Sequence, residues 1–122
     1  MRLGRGLAAA GVALACAAPA IAATTPKRKV YVHDNYYQAD KLTVKAGTQV
    51  SWVWADDATD VHDVQLVSAP KGVKKFQSEP LASGLSFRKK LTRPGLYKFV
   101  CSFHEEEMRM QIRVKKPVKK RR

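Results

Sequence analysis

The strongest constraint on the fold of this 122-residue chain is a series of short segments in which apolar and polar residues alternate. β-branched and aromatic residues fill many apolar positions, and a period of two places them on one face of an extended strand. Turn-forming pairs such as Ala46-Gly47 and Pro94-Gly95 separate the segments. Seven or eight short strands in about 100 residues predict an all-β chain folded as a sandwich of two sheets. The alternating segments are 29–33, 41–45, 49–55, 62–67, 86–91, 96–101 and 108–114.

Residues 1–23 have the pattern of a secretory signal peptide. Arg2 and Arg5 precede an apolar run at 7–18, and a small-x-small triplet at 20–22 is typical of a cleavage site. The run is short for a spanning helix, which needs about 20 apolar residues. An uncleaved membrane anchor and a lipoprotein modified at Cys16 are the alternatives. The pattern predicts export, to the periplasm, the cell surface or the extracellular medium.

The remaining chain divides into a basic N-terminal segment at 24–28, one domain at 29–115 and a basic tail at 116–122 that we expect to be disordered. Removing 23 of 122 residues leaves 99, and the formal charge falls from +13 to +11 with the loss of Arg2 and Arg5. This charge favours a partner with an acidic surface and, for the tail, an anionic membrane. Nucleic acid is a poorer partner, because the basic residues are scattered over turns and termini and no recognition helix or aromatic motif accompanies them.

The stretch "CSFHEEEM" at 101–108 brings a thiol, an imidazole and a thioether into one short loop. Cleavage would remove Cys16 and leave Cys101 as the lone cysteine of an exported protein, where it cannot form an internal disulfide. A small buried hydrophobic residue is the other interpretation of Cys101. The neighbouring His104 and Met108 favour a metal ligand.

A second histidine, His62, opens the alternating segment 62–67 directly after a loop. If segments 62–67 and 96–101 end at the same pole of a sandwich, His62 can meet Cys101, His104 and Met108 there. Two imidazoles, one thiolate and one weak thioether are the ligand set of a blue-copper electron-transfer site. Zinc is chemically possible in such a site, but the intrinsic affinity order favours copper.

Other candidate ligands are weaker. His33 closes the first alternating segment and fits a polar edge position. The glutamates at 105–107 could offer oxygen to a hard metal, but a run of this kind is usually a solvated loop. We therefore predict His62, Cys101, His104 and Met108 as the metal ligands.

At these residues the chain resembles the plastocyanin and pseudoazurin branch of the cupredoxins. "LTVKAGTQVSWVW", "VHDV", "PGLYKFVCSFHEEEM" and "RMQIRV" occur in the order typical of that family, from about residue 29 to 115. The resemblance implies an eight-stranded Greek-key sandwich and one copper, with His62, Cys101 and His104 as ligands and Met108 as the axial thioether. It also places Asp63 where plastocyanin-like chains usually have asparagine, and a carboxylate can donate the loop-linking hydrogen bond of that asparagine only when it is protonated.

The resemblance implies a mononuclear copper that carries single electrons by cycling between Cu(I) and Cu(II). We expect a monomer that works between redox partners in the cell envelope. Copper storage, delivery or sequestration in the envelope is the alternative, since the same ligands would serve. An enzyme is not expected, because the chain has three histidines and no His-x-His pair to build the further copper sites of oxidases and nitrite reductases.

Overall fold

Eight β-strands make up the computed structural model of the protein, which describes residues 24–118 and the isolated glycines 4, 6 and 11. The signal peptide predicted at 1–23, those glycines apart, and the last four residues of the predicted tail lie outside the described residues. Residues 24–118 contain no helix, and no described helix is long and apolar enough to cross a membrane. The strands are β1 (Lys27–His33), β2 (Tyr36–Gln38), β3 (Lys41–Lys45), β4 (Thr48–Trp54), β5 (Gln65–Ser68), β6 (Ser86–Leu91), β7 (Gly95–Val100) and β8 (Arg109–Lys115).

The strands form two four-stranded sheets, one in the order β2-β1-β4-β6 and the other in the order β3-β8-β7-β5. β1 runs parallel to β4 and β3 runs parallel to β8, while the other neighbours are antiparallel. The predicted all-β sandwich of about eight strands is confirmed.

The core lies between the sheets and follows from the alternation. Every second residue of β4 is buried, beginning at Thr48 and ending at Trp54. Trp52 packs against Phe99 of the opposite sheet, with ring centroids 5.1 Å apart. Cys101 and Met108 belong to the same buried cluster. These two candidate ligands are therefore part of the packed core, which restricts how far their side chains can move.

Two strand assignments differ from the sequence prediction. β2 was not predicted, because its three residues are too few to show an alternation. It follows a tight turn in which Asn35 has a φ of 68°, a left-handed conformation that asparagine tolerates better than most residues. The segment predicted to begin at His62 becomes β5 only at Gln65, so His62 lies in the preceding loop.

The chain reversals that carry the candidate ligands share one end of the sandwich, here called the ligand end. β5 begins opposite the last residue of β7, with Gln65 paired to Val100. The loop that leads into β5 contains His62, and the loop that leaves β7 contains Cys101 and His104. The expectation that these strands meet at one pole is thus confirmed by their register.

Candidate metal centre

His62 is held rigidly although it lies in a loop. Its backbone N–H donates to Leu81 O at 3.2 Å, and its carbonyl accepts from Leu81 N–H at 3.0 Å. The indole Nε1–H of Trp54 donates to the same carbonyl at 3.1 Å. The side chain is completely buried. These contacts fix the backbone from which the imidazole projects.

The segment 101–108 is closed by hydrogen bonds among the candidate ligands themselves. Cys101 N–H donates to Met108 O at 3.0 Å, His104 N–H donates to Cys101 O at 3.0 Å, and Met108 N–H donates to His104 O at 2.9 Å. Each of these residues is therefore positioned by the backbone of another. The loop turns tightly enough to present Cys101 and His104 on the same side.

The three side chains converge on one point. Cys101 Sγ lies 3.8 Å from His62 Nδ1 and 3.8 Å from His104 Nδ1. The three ligand atoms all lie within 4.8 Å of one another, and the two imidazole ring centroids are 5.2 Å apart. Burial is the main cause that raises the pKa of the Cys101 thiol. Metal binding at neutral pH would therefore displace a proton from Cys101, since the thiolate is the ligand form.

Asp34 is a contributor that the sequence analysis missed. Its Oδ1 accepts a hydrogen bond from His62 Nε2 at 2.8 Å. Thr59 and Asp60 hold the same carboxylate through their backbone N–H groups, and the Thr59 hydroxyl adds a third bond. The His62 contact and these bonds hold the pKa of Asp34 far below its usual range. An ionised carboxylate only accepts, so it fixes the neutral imidazole with hydrogen on Nε2 and leaves Nδ1 free for a metal.

Asp63 joins the two ligand segments in the place where an asparagine was expected. Its Oδ1 accepts from Ser102 N–H at 2.7 Å, and its Oδ2 accepts from the Ser102 hydroxyl and from Gln77 Nε2, the latter at 2.8 Å. Its own carbonyl accepts from Tyr37 OH at 2.7 Å. The carboxylate has no need to donate, because Ser102 and Gln77 supply the hydrogens. This buried carboxylate is only 1% exposed. It follows His62 directly in the chain, and its partner Ser102 follows Cys101 directly.

The two nearby methionines have different surroundings. Trp52 Nε1–H donates a hydrogen bond to Met110 Sδ at 3.2 Å. The thioether of Met110 therefore already has a partner in the core. Met108 is fully buried, and its backbone bonds with Cys101 and His104 place it at the ligand cluster. These contacts favour Met108 as the axial ligand, and the assignment stays a prediction.

The other candidates lie outside the cluster of His62, Cys101 and His104. His33 Nε2 bonds to Gln38 Oε1 at 2.8 Å, and its ring stacks on Tyr36 with centroids 4.6 Å apart. The glutamates at 105–107 are exposed. Neither feature supplies a metal ligand atom near Cys101 in the structure.

The donor chemistry of the cluster suits copper. One thiolate and two imidazoles are the strong ligands of a blue-copper site, and a weak thioether completes it. Burial excludes water ligands from most directions, and the positioned loops hold the donors together before a metal arrives. The residues present therefore fit the copper ion predicted from the sequence.

Comparison with known proteins agrees with this chemistry. Residues 6–114 match the Cupredoxin-like domain family. The chain is 28% identical over 68 residues to "Amicyanin-alpha" of Methylorubrum extorquens, and the match covers 56% of each chain. The chain thus spans little more than half the length of that curated relative.

Solved structures with a similar fold include one chain that the match covers almost completely and one much longer chain. The Cu-containing nitrite reductase (NirK) from Thermus scotoductus SA-01 superposes with a TM-score of 0.65 at 29% identity, covering 76% of this chain and 23% of that one. A purple cupredoxin from Nitrosopumilus maritimus superposes with a TM-score of 0.62 at 25% identity, covering 71% and 98% of the two chains.

Two substitutions of Asp63 distinguish the effect of its hydrogen bonds from the effect of its charge. Asp63→Ala leaves Ser102 and Gln77 without an acceptor, and we expect it to reduce the free energy of unfolding by about 1–3 kcal/mol. Asp63→Asn keeps an acceptor for Ser102 N–H, and its amide can donate to Ser102 Oγ and to a reoriented Gln77. This variant should lose less than about 1 kcal/mol, while the reduction potential of the copper-loaded protein rises because a nearby negative charge is gone. Denaturant unfolding and voltammetry measure the two effects. Equal destabilisation by both substitutions would contradict the proposed bonding.

The methionine assignment is tested by a pair of matched substitutions. Met108→Leu should raise the reduction potential while the Cys101 charge-transfer colour persists, because the lost thioether favours Cu(II) more than Cu(I). If the affinity for Cu(II) falls tenfold more than the affinity for Cu(I), the potential rises by about 59 mV for one electron. Met110→Leu conserves apolar volume and should cost under about 1.5 kcal/mol of stability with little change in potential. The reduction potentials of both variants are measured by voltammetry. A shift in Met110→Leu alone would show that Met110, and not Met108, is the ligand.

Proposed function

The chain belongs to the cupredoxin-like domain family, whose members bind one copper, and from that premise we propose that it carries single electrons between redox proteins. The proposal rests above all on the convergence of His62, Cys101 and His104, whose ligand atoms lie within 4.8 Å of one another. Met108 is proposed as the fourth, axial ligand. When bound, copper supplies the one-electron change between Cu(I) and Cu(II).

The protein's part in this function is to hold the ligands still. His62 is fixed from three sides by Leu81, Trp54 and Asp34, and Cys101 is fixed by Met108 and by the bond from Ser102 to Asp63. A ligand set that does not rearrange between oxidation states needs little reorganisation for each electron. A catalytic metal site would instead need an open position for water or substrate.

His104 is the proposed exit for the electron. His62 is completely buried and its outer nitrogen is occupied by Asp34. His104 is partly exposed, and its neighbour Phe103 is 55% exposed. An apolar side chain beside the accessible ligand allows a partner to approach closely without desolvating a charge. We therefore propose that a redox partner docks over Phe103 and His104.

The proposed location and partner are supported by the sequence. The pattern at 1–23 supports export to the periplasm, cell surface or medium. The net positive charge attracts an acidic redox partner at long range. Because the carboxylates of this chain gather around the ligand end, we propose that the part of the partner that meets Phe103 and His104 is apolar and not acidic. The described residues adjoining His104 include the exposed glutamates 105–107. Contact at the exit is accordingly expected to depend on Phe103 more than on ion pairs.

Addition of Cu(II) to the purified apoprotein tests the function. We expect intense blue or green colour, a narrow copper hyperfine splitting in the EPR spectrum and one copper per chain, because a thiolate binds the ion in a buried site. A reversible one-electron couple with fast self-exchange would support the carrier. Cys101→Ser provides the control and should lose the colour.

Two outcomes would contradict the proposal. A colourless protein with a square-planar Cu(II) signal would exclude the thiolate ligand set. Tight Cu(I) binding without a reversible couple, together with transfer of the ion to an apo-acceptor, would show copper delivery in place of electron transfer.

A further inference from the structure

Acidic residues are concentrated at one end of the strand axis, while basic residues lie along its whole length. Nine of the ten acidic residues lie in the turns and loops around the ligand end, and Asp40 directly precedes β3 in the half nearer that end. The nine are Asp34, Asp56, Asp57, Asp60, Asp63, Glu79, Glu105, Glu106 and Glu107. The opposite end therefore carries no carboxylate side chain among the described residues.

That opposite end, here called the base, is formed by the starts of β1, β4 and β7, the ends of β3, β6 and β8, and the turns that join them. Its cations are Lys27, Lys45, Lys71, Lys90, Arg93, Lys115 and Lys116. The register places several of them side by side, since Lys45 pairs with Lys115 and Lys27 shares Gln49 as a neighbour with Lys90. None of the base lysines has a carboxylate within salt-bridge distance in the described structure, whose ion pairs involve only His33 and His62.

The base is a rigid surface. Ala46 N–H donates to Lys115 O at 3.2 Å, Gly47 N–H donates to Leu91 O at 2.8 Å, and Gln49 N–H donates to Pro26 O at 2.8 Å. These bonds connect strands of both sheets across the end of the sandwich. The positive charges are thus presented together by folded backbone, and ordering them on a partner costs only side-chain entropy.

We propose that the base docks on an anionic phospholipid bilayer and holds the ligand end toward the aqueous phase. The charges are complementary to anionic headgroups, near which each lysine or arginine gains attraction. Both ends of the domain also leave at the base, before Lys27 and after Lys115, so the basic sequence at 116–122 continues from this surface. The acidic residues around the ligand end would be repelled by the same bilayer, which sets the orientation.

The observations favour a bilayer over a nucleic acid. Binding of single strands commonly uses exposed aromatic side chains on which bases stack. The exposed aromatic residues are Tyr31, Tyr36 and Phe103, which lie in the half that holds the ligand end. The exposed large apolar residue at the base is Val118, beyond β8. Cations without an aromatic stacking surface suit headgroups that move freely in a membrane.

The test measures partition of the full-length chain onto vesicles of phosphatidylcholine, with and without 30% phosphatidylglycerol. The ratio of the two partition coefficients isolates the electrostatic contribution from any apolar contribution of residues 1–23. One variant carries Lys45→Glu and Lys90→Glu at the base. The matched control carries Lys41→Glu and Lys98→Glu, which are also exposed strand positions but lie beside Asp40 and away from the base. Both variants change the net charge equally.

We expect the base variant to reduce the ratio by about 30-fold or more at low salt, from about 1 kcal/mol per lysine near the surface. The control should change it by less than about 3-fold, and the wild-type ratio should fall as salt rises.

Equal losses in the two variants would show attraction by net charge alone and overturn the proposal, as would equal binding to both kinds of vesicle. Binding to an oligonucleotide without binding to anionic vesicles would overturn it in favour of a nucleic acid. Near-UV circular dichroism of both variants verifies that they are folded.

Discussion

The hydrogen bond from Ser102 N–H to the Asp63 carboxylate joins the two segments on which the metal site depends. His62 precedes Asp63 and Cys101 precedes Ser102, so one bond fixes the separation of two proposed ligands that lie far apart in the sequence. A buried carboxylate is costly unless its oxygens are satisfied, and here Ser102 and Gln77 satisfy them. The asparagine expected from the resemblance would contribute donors of its own. In this chain the same connection is made by an acceptor, and the donors lie on its neighbours.

Aspartate at position 63, where the resemblance leads us to expect asparagine, also adds a negative charge close to the proposed copper. Together with Asp34 on His62, it places two carboxylates behind the ligand cluster. A nearby negative charge favours the more highly charged Cu(II). Fixed hydrogen bonds hold these carboxylates, and so their influence on the potential is built into the fold. Most of the other acidic residues surround the same end, while the base carries cations and, among residues 24–118, no carboxylate side chain. The uneven distribution of negative charge therefore results from the same loops that form the proposed metal site.

Much of this arrangement could be predicted from the sequence, for physical reasons. The alternation in 49–55 and 108–114 identifies strands because one face of each is buried. Cys101, His104 and Met108 are close in sequence, so a single loop brings them together. His62 could be added because it precedes a strand that begins at the same pole. The three-residue strand β2 and the delayed start of β5 at Gln65 could not be predicted, since tertiary packing decides them. Asp34 was missed because its bond to His62 joins residues from different loops, and only the parallel pairing of β1 and β4 brings those loops together.

The central claim is that Cys101 and two imidazoles form one preset ligand shell, and X-ray absorption of the copper-loaded protein tests it most directly. Spectra of the oxidised and reduced forms should both show one sulfur and two imidazole nitrogens in the inner shell, at nearly unchanged distances. A shell of nitrogen and oxygen alone would contradict the claim. Loss of an imidazole on reduction would also contradict it, because the hydrogen bonds of His62 and of the 101–108 loop would then have failed to hold the site in one geometry.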